Sequence, residues 1–589
     1  MTTHQTTTRL MMMSAALVLS AGALGCPADD QGGDGSHEVG RLAEPPIAGV
    51  EYVTSTHSGV TNANGEFEYA AGETVEFRIG SVVLGSAAGA AQVTLYDLAG
   101  ATPLTTPLET ARAIQALRHG RASNPIQHAF NLATFLFSFD ADNDLSNGVE
   151  IPEALGPLVS EPFVWTHKRF TETRAFARVM QQARLSGAWS AGVRLYPPRV
   201  AMMRLDEANG IEAVTRELVA ERQLFDGAAY LDRAYELDAY GNRTSSAGYD
   251  TPSTGTLQFY TLAYDPDGNL TALERLQQRS RGLYTFALTA AYNEFGGLVE
   301  VDRSVNLSAP NTGDRNGHEA EQFVWNANGL RASGSGQHLI TDAIMDPINA
   351  QVTYGYIYDA AGNLTTSTET WSAALADRAS SYTYDADGLM LTSALASQNL
   401  TYGYDATGMP TRVTLEGSYE DLSTYDAFGN LRSLERRIFL GQGDFIAETL
   451  SLDLDGEGRV VATNFQEANG DWIRTGASYD EHGNQLTYTR RTETQDGYRY
   501  TDSLTTYTYD ASGALVTAMS DTAQSSPAGE ASLDGVIDYE TTYTTTETRT
   551  NWSRVVLPNC VQTRFDVCPL NFSRPIATFD RYAEMTPGM

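Results

Sequence analysis

Short runs of alternating apolar and polar residues open the folded part of the chain, from Ile47 to about Leu95. Such alternation, broken by turn residues, is typical of β-strands joined by tight turns. Asn64 and Gly65 lie between two of these runs, and this pair favours a two-residue hairpin because both residues tolerate positive φ. The pattern predicts a small β-sandwich-like module over residues 47–105.

The period then changes to that of a helix. Leu108, Ala111, Ile114 and Leu117 recur on one helical face, after a Thr-Pro start that suits a first turn. The segments IQHAFNLATFLFSF and FTETRAFARVMQQARL repeat this spacing. A small helical domain is therefore predicted over residues 106–200, followed by a connector over residues 201–234.

Beyond the connector the chain repeats a short unit, Tyr-Asp-x-x-Gly. Eleven copies, some of them degenerate, run from Gly241 to Gly513 at a mean spacing of about 27 residues. Asp can accept hydrogen bonds from backbone N–H groups two residues on, and Gly supplies the left-handed conformation that closes a type I turn with a bulge. The clearest corner residues are Asp265, Gly268, Asp359, Gly362, Asp385, Gly388, Asp405, Gly408, Asp426, Gly429, Asp480, Gly483, Asp510 and Gly513.

Tyrosines alternate before these corners, as in Tyr354, Tyr356 and Tyr358, so they share one face of a sheet. The unit resembles the YD repeat of the Rhs group of bacterial proteins, over roughly residues 235–520. That resemblance implies a long, continuous antiparallel sheet that winds into a shell. Only 76 residues follow Gly513, so we expect a sheet that curls or partly wraps, with a β-rich C-terminal segment over residues 521–589. The predicted fold class is mainly β.

Charge narrows the classes of partner. The chain has 589 residues and a formal net charge of −34. That charge repels phosphate backbones and anionic lipid headgroups, so nucleic-acid binding through a general basic surface is excluded.

The N-terminus predicts export. Residues 10–24 form an apolar run of 15 residues after Arg9, which is too short to span a bilayer and is typical of a secretory signal. The following Ala23-Leu24-Gly25-Cys26 resembles the lipobox of bacterial lipoproteins, which implies a signal peptide over residues 1–25, lipidation at Cys26 and a flexible tether over residues 26–46. The alternative is an ordinary secretory cleavage site nearby. Both interpretations predict an exported protein in the cell envelope or on the outer surface, and lipidation at Cys26 implies that it is held to the membrane only by lipid.

Two further sites are open to more than one interpretation. Asp140, Asp142, Asp144 and Glu150 offer oxygen ligands for calcium, although Leu145 and Ile151 break the EF-hand pattern, and the alternative is a solvated acidic loop. Cys560 and Cys568 are expected to form a disulfide, since two thiols without a neighbouring histidine make a weak metal site.

Motifs of catalysis are missing from the sequence: there is no P-loop, GxSxG, HExxH or CxxC. The segment GHEAE at 317–321 is expected to be a polar loop with a surface histidine. The tyrosines could stack on sugar rings, but packing on the inner face of the sheet is the favoured interpretation. No catalytic residue is predicted.

The leading hypothesis is a non-catalytic envelope lipoprotein whose sheet serves as a structural or partner-binding surface, with envelope proteins or surface glycans as partners. One alternative is a component or remnant of an Rhs-like toxin-delivery system, and another is a secreted carbohydrate-active enzyme.

Overall fold

A computed structural model describes residues 37–43, 45–118, 122–142, 144–188, 198–211, 214–237, 243–250, 256–265, 270–279, 282–293, 298–308, 315–326, 330–342, 348–372, 377–395, 398–441, 444–495, 500–511, 514–525 and 533–549. The predicted signal peptide, Cys26, Cys560 and Cys568 lie outside these residues, as do Gly268 and Gly513.

Eight short strands belong to the N-terminal part: β1 His37–Arg41, β2 Ile47–Ala48, β3 Glu51–Val53, β4 Ser58–Val60, β5 Glu66–Ala70, β6 Thr74–Ile79, β7 Val82–Ala88 and β8 Val149–Glu150. They form a four-stranded antiparallel sheet, β4-β3-β6-β7, and two pairs, β1-β5 and β2-β8. Strand β1 includes residues that the sequence assigned to the tether, because it pairs along its whole length with β5.

Five α-helices follow: α1 Leu95–Ala99, α2 Pro107–Arg118, α3 Asn124–Ser138, α4 Arg174–Ser186 and α5 Pro198–Ala208, with short 3-10 turns at Glu153–Leu158 and Phe170–Glu172. Helix α3 is buried on all sides from Ala129 to Ser138, and its buried Asn131 and Thr134 side chains donate hydrogen bonds to backbone carbonyls. One hydrophobic core runs from Leu42 to Leu205, so the predicted β module and helical region form a single domain.

Twenty-four long strands make up the rest: β9 Val214–Phe225, β10 Ala228–Leu237, β11 Arg243–Asp250, β12 Thr256–Tyr264, β13 Leu270–Arg279, β14 Gly282–Tyr292, β15 Leu298–Ser308, β16 Arg315–Trp325, β17 Arg331–Asp342, β18 Ile348–Tyr358, β19 Leu364–Trp371, β20 Arg378–Tyr384, β21 Met390–Leu395, β22 Gln398–Tyr404, β23 Pro410–Leu415, β24 Tyr419–Tyr425, β25 Leu431–Gly441, β26 Asp444–Leu454, β27 Val460–Gln466, β28 Trp472–Tyr479, β29 Gln485–Glu493, β30 Tyr500–Tyr509, β31 Leu515–Ser525 and β32 Tyr539–Arg549.

Each strand pairs antiparallel with the next along the chain, and β32 pairs with β9 to close a barrel. The mainly-β prediction is confirmed, but the prediction of a sheet that curls or only partly wraps is wrong. The strands that close the sheet come from the predicted connector and from the predicted C-terminal segment. Their pairing, from Tyr539↔Phe225 to Arg549↔Val214, removes the two free edges that a partly wrapped sheet would expose.

The two faces of the wall differ in burial. On β18 the face with Ala350 and Val352, which are 0% and 1% exposed, also carries the tyrosines. The other face carries Asn349, Gln351 and Thr353, which are exposed. We assign the buried, tyrosine-bearing face to the interior of the closed barrel.

Candidate functional site

The described Tyr-Asp-x-x-Gly corners lie at one end of the barrel, because in an up-and-down meander alternate connections share a rim. We call this end the turn rim. At Asp405, Oδ1 accepts hydrogen bonds from the backbone N–H groups of Thr407 and Met409, both at 2.9 Å, and the N–H of Gly408 donates to the Asp405 carbonyl. The corner glycines have φ between +79° and +91° at Gly362, Gly388, Gly408, Gly429 and Gly483. Asp265 and Asp510 stand at the same rim, before corner residues that are not described.

The tyrosine of the unit links consecutive corners. The Tyr384 hydroxyl donates to the carbonyl of Leu364, the first residue of the strand after the preceding corner, at 2.8 Å. The same contact recurs at Tyr292, Tyr358, Tyr404, Tyr479 and Tyr509. At a degenerate corner the indole of Trp325 replaces it, donating to Leu298 at 2.8 Å. These side chains therefore stabilise the turn rim, because their hydrogen-bond donors are bound to backbone carbonyls of neighbouring strands.

The N-terminal domain, residues 37–208, rests on the turn rim, and we call it the cap. Helix α4 supplies Arg174, whose Nη1 lies 2.8 Å from Asp385 Oδ2 and 2.6 Å from Asp387 Oδ2. One turn later, Arg178 Nε lies 2.5 Å from Asp387 Oδ1. The Arg178 and Arg174 guanidiniums hold the pKa of Asp387 below its ordinary value. The two arginines thus tie α4 to one corner.

Neighbouring corners are held by the main chain of the cap. The N–H of Arg174 donates to the Thr407 carbonyl, and the N–H of Lys168 to the Phe428 carbonyl, both at 2.8 Å. Burial lowers the pKa of Lys168, an effect opposed by nearby Glu457 and Asp426. Burial likewise lowers the pKa of Arg184 to about 10, against the opposing charge of Asp359. The cap thus reaches five consecutive corners, from residues 359–362 to 455–458.

A second contact lies across the mouth of the barrel. Helix α2 of the cap packs against β9. Strand β9 is thirteen places round the ring of 24 strands from β22, which ends at a corner beneath α4. Because these contacts lie on opposite sides of the ring, the cap spans the mouth at the turn rim.

The interior is wide. A circular ring of twenty-four strands spaced about 4.8 Å apart has a diameter of roughly 37 Å between backbones, which is more than side chains from opposite walls can fill. Inward-facing tyrosines lie near one another in two groups: Tyr402 with Tyr419 and Tyr382, and Tyr507 with Tyr543 and Tyr488. Burial raises the pKa of both central tyrosines. We call these six residues the tyrosine ladders.

An ion-pair cluster lies on the inner face of β15 to β18. His338, 2% exposed, has Nδ1 3.0 Å from Glu319 Oε1 and Nε2 3.3 Å from Glu321 Oε1. Neither contact has the direction of a hydrogen bond, so the attraction is Coulombic. Arg303 Nη1 lies 3.4 Å from both carboxylates, and the Tyr354 hydroxyl donates to Glu321.

Charge balance assigns this cluster a structural role. Burial alone would lower the pKa of His338, but the Glu319 and Glu321 carboxylates raise it to about 9. Burial and the adjacent Glu321 carboxylate raise the pKa of Tyr354. With both cations and both anions charged, the cluster is neutral, and an imidazolium held between two carboxylates is a poor general base.

Sequence reasoning missed these residues. The segment GHEAE, expected as a polar loop, lies within β16, where alternation buries Glu319 and Glu321 and exposes His318. His318 Nε2 lies 2.8 Å from Asp302 Oδ2 on the outer face. The alternation of Glu-Ala-Glu was the available signal, since it is the period of a strand.

The acidic loop is closed by its own hydrogen bonds. Asp140 Oδ1 accepts from the N–H of Glu150 at 2.8 Å, Asp142 accepts from Asp144, and Asp144 accepts from Ser146. Burial raises the pKa of Asp140 to about 6. Calcium at Asp140, Asp142, Asp144 and Glu150 stays a prediction. Within the described ranges, the side chains that lie close enough together to share an ion are those of His37, His57 and Glu68.

The outer face of β15 to β18 is mostly polar, with Val324, Leu339 and Ile357 as its exposed apolar residues. Its exposed positions include Asn306, Ser333, Ser335, Gln337, Asn349, Gln351 and Thr353. A lipid-facing barrel shows the reverse alternation, apolar outside and polar inside. These strands therefore carry the pattern of a wall that faces water.

Within the described residues, no helix is both long and apolar enough to cross a bilayer.

No protein-family model matches the chain. No curated protein matches it either. Among solved structures, a porin-like protein from Bacteroides uniformis is 11% identical with a TM-score of 0.16, and the match covers 42% of this chain and 96% of that one. A TM-score this low carries no argument about function.

The assignment to the YD-repeat family of Rhs proteins is corrected by these findings. The sheet closes into a 24-stranded barrel instead of winding into a partial shell, and no family model supports the resemblance. The likeness was local, because a Tyr-Asp-x-x-Gly corner specifies a hairpin and not the closure of the sheet. The comparisons also give no support to the signal-peptide and lipoprotein interpretation. What the fold defines is a closed antiparallel barrel with a cap across one mouth.

Proposed function

We propose that the protein is a non-catalytic binding protein of the cell envelope that takes neutral carbohydrate chains into its barrel. The observation that carries the proposal is the pair of tyrosine ladders on the inner wall, in a barrel too wide to be filled by its own side chains. The envelope location is part of this proposal and is tested by cell fractionation.

Aromatic faces and phenolic hydroxyls suit sugar rings, which present apolar C–H faces and a rim of hydroxyl groups. Tyr402 is half-buried, and its hydroxyl lies 3.3 Å from Ser393 Oγ, so a polar group accompanies the ring. The corner tyrosines differ, because their hydroxyls are committed to backbone carbonyls. The ladders are therefore the aromatic groups best suited to a ligand.

Net charge supports a neutral ligand. At −34 the chain repels polyanions over long range. The ion-pair cluster at His338 is already neutral and adds no free cation for an acidic sugar.

The experiment is a glycan-array screen of the full chain, followed by calorimetric titration of the best neutral oligosaccharide. Tyr402→Ala and Tyr507→Ala should each weaken binding about tenfold or more, since losing a stacked aromatic ring costs on the order of 1 kcal/mol or above. Thr401→Ala is the matched control, because Thr401 is adjacent on the strand and exposed on the outer face, and it should bind as the wild type. Absence of binding to any neutral glycan, or equal loss in Thr401→Ala, would contradict the proposal.

A further inference from the structure

A pair of histidines meets on the surface of the cap. His37 is the first residue of β1, and His57 ends the turn between β3 and β4. His37 Nδ1 lies 3.4 Å from His57 Nε2, with ring centroids 5.3 Å apart and planes inclined by 48°. The two nitrogens therefore face each other without ring stacking.

Each imidazole has a carboxylate at its other nitrogen. His37 Nε2 lies 3.4 Å from Glu68 Oε1, and His57 Nδ1 lies 3.7 Å from Glu73 Oε2 and 2.7 Å from Thr56 Oγ1. Acceptors at these outer nitrogens favour the proton there. Two lone pairs are then left facing each other across the 3.4 Å gap, an arrangement that a cation would stabilise.

The geometry of the gap matches a tetrahedral ion. Two nitrogens bound to zinc at about 2.05 Å lie about 3.3 Å apart at the tetrahedral angle. Ligand atoms of His37, His57 and Glu68 all lie within 4.8 Å of one another. A carboxylate behind a metal-bound histidine is the usual outer-shell arrangement, and it fixes the tautomer and the ring orientation.

The scaffold holds these side chains in place. His57 is fixed by a tight turn in which its N–H donates to Thr54 Oγ1 at 2.8 Å and the Thr54 N–H donates to its carbonyl at 2.8 Å. Glu73 accepts from the Ala70 N–H at 2.8 Å and from the Ser55 hydroxyl. Glu68 is opposite Val39 in the β1-β5 pair, which makes it the diagonal neighbour of His37 on the same face.

We propose that His37 Nδ1 and His57 Nε2 bind a Zn²⁺ ion on the surface of the cap, with Glu68 behind the His37 ring and water in the remaining two positions. Side-chain exposures of 46% for His37, 25% for His57 and 52% for Glu68 leave the site open to solvent. The site is independent of the glycan proposal, because it lies in the cap and not in the barrel interior.

The test is a titration of the metal-free full chain with Zn²⁺ against a competing fluorescent chelator. The wild type should bind one ion more than His37→Ala or His57→Ala. Glu73→Gln leaves both ligands in place and should weaken that site by about 10–100-fold. His318→Ala removes an exposed, carboxylate-paired histidine from the barrel and should titrate as the wild type.

Co²⁺ bound to the wild type should show the visible absorption of four-coordinate geometry, and His57→Ala should lack it. Melting curves of the metal-free variants separate a lost site from a misfolded cap. If His57→Ala and the wild type bind Zn²⁺ with the same stoichiometry and affinity, the two imidazoles form only an N–H···N hydrogen bond and the proposal is wrong.

Discussion

Replacing Gly408 by Ala tests whether the cap rests on the turn rim. Gly408 has φ +91°, and a Cβ there would lie 2.5 Å from the backbone nitrogen of Arg174 in the cap. Gly483 is the matched site, with φ +83° and only Arg459 Nη1 nearby, at 3.8 Å. Both substitutions carry the same backbone penalty, but only the first collides with the cap.

The backbone penalty for a left-handed Ala is about 1–2 kcal/mol and should appear in both variants. Gly408→Ala must also displace Arg174, whose N–H donates to the Thr407 carbonyl and whose side chain pairs with Asp385 and Asp387. Losing that hydrogen bond costs about 0.5–1.5 kcal/mol, and weakening the partly buried ion pairs adds to it. We expect the destabilisation caused by Gly408→Ala to exceed that caused by Gly483→Ala by about 1–3 kcal/mol.

Hydrogen exchange measured by mass spectrometry reads this difference locally, which suits a chain with two structural units that need not unfold together. In Gly408→Ala the amides of α4, Arg174–Ser186, should exchange about 5–150-fold faster than in the wild type. In Gly483→Ala they should be unchanged, with faster exchange confined to β28 and β29. Equal exchange of α4 in the two variants would refute docking of the cap on this corner.

Two further outcomes are expected. Tyr384→Phe removes the hydroxyl that donates to Leu364 and should cost about 0.5–1.5 kcal/mol in local stability at that rim, seen as faster exchange of β19, whereas Tyr382→Phe should leave β19 unchanged. The His338 pKa is raised to about 9, so its stabilising contribution is complete below the unfolded value of about 6.5 and is lost as the pH rises through 9. Between about pH 6.5 and 9 the melting temperature should fall in the wild type but not in His338→Gln. An equal fall of the melting temperature in both proteins would contradict a charged His338 in the cluster.

The corners of the barrel are local in sequence. Asp405 and Gly408 are three residues apart, and the hydrogen bonds that shape the turn lie within Asp405–Met409, so inspection of the chain could locate it. Each corner joins two strands, so the repeat also indicated most of the strands in the sheet.

The closure of the barrel could not be predicted from the sequence in the same way. It depends on pairing between β9 and β32, whose partners Val214 and Arg549 are 335 residues apart and carry no Tyr-Asp-x-x-Gly unit. Such long-range pairing leaves no periodic signal, and both strands were accordingly assigned to other segments.

The cap and the ion-pair cluster illustrate two other limits of prediction from the sequence. Arg178 and Asp387 meet across 209 positions of sequence, and each looked ordinary locally, one on a helix and the other in a turn. Glu319 and Glu321 were visible as a pair, but their burial depends on β17 and its glycines: a Cβ at Gly336 would lie 3.0 Å from Glu321 Cγ. Partners distant in the chain decided both sites.

The most direct measurement of the central claim is disulfide trapping between β9 and β32. Arg222 and Thr542 are direct partners in that pair, and paired residues of antiparallel strands have Cα atoms about 4.5–5.5 Å apart, within the range that a disulfide can bridge. With Cys26, Cys560 and Cys568 changed to Ser, the variant Arg222→Cys, Thr542→Cys should form an intrachain disulfide readily under mild oxidation. The control Ser333→Cys, Thr542→Cys, which places one thiol on the outer face of β17, should not. Free thiols in both variants would mean that the sheet is open at this seam and that the barrel does not close.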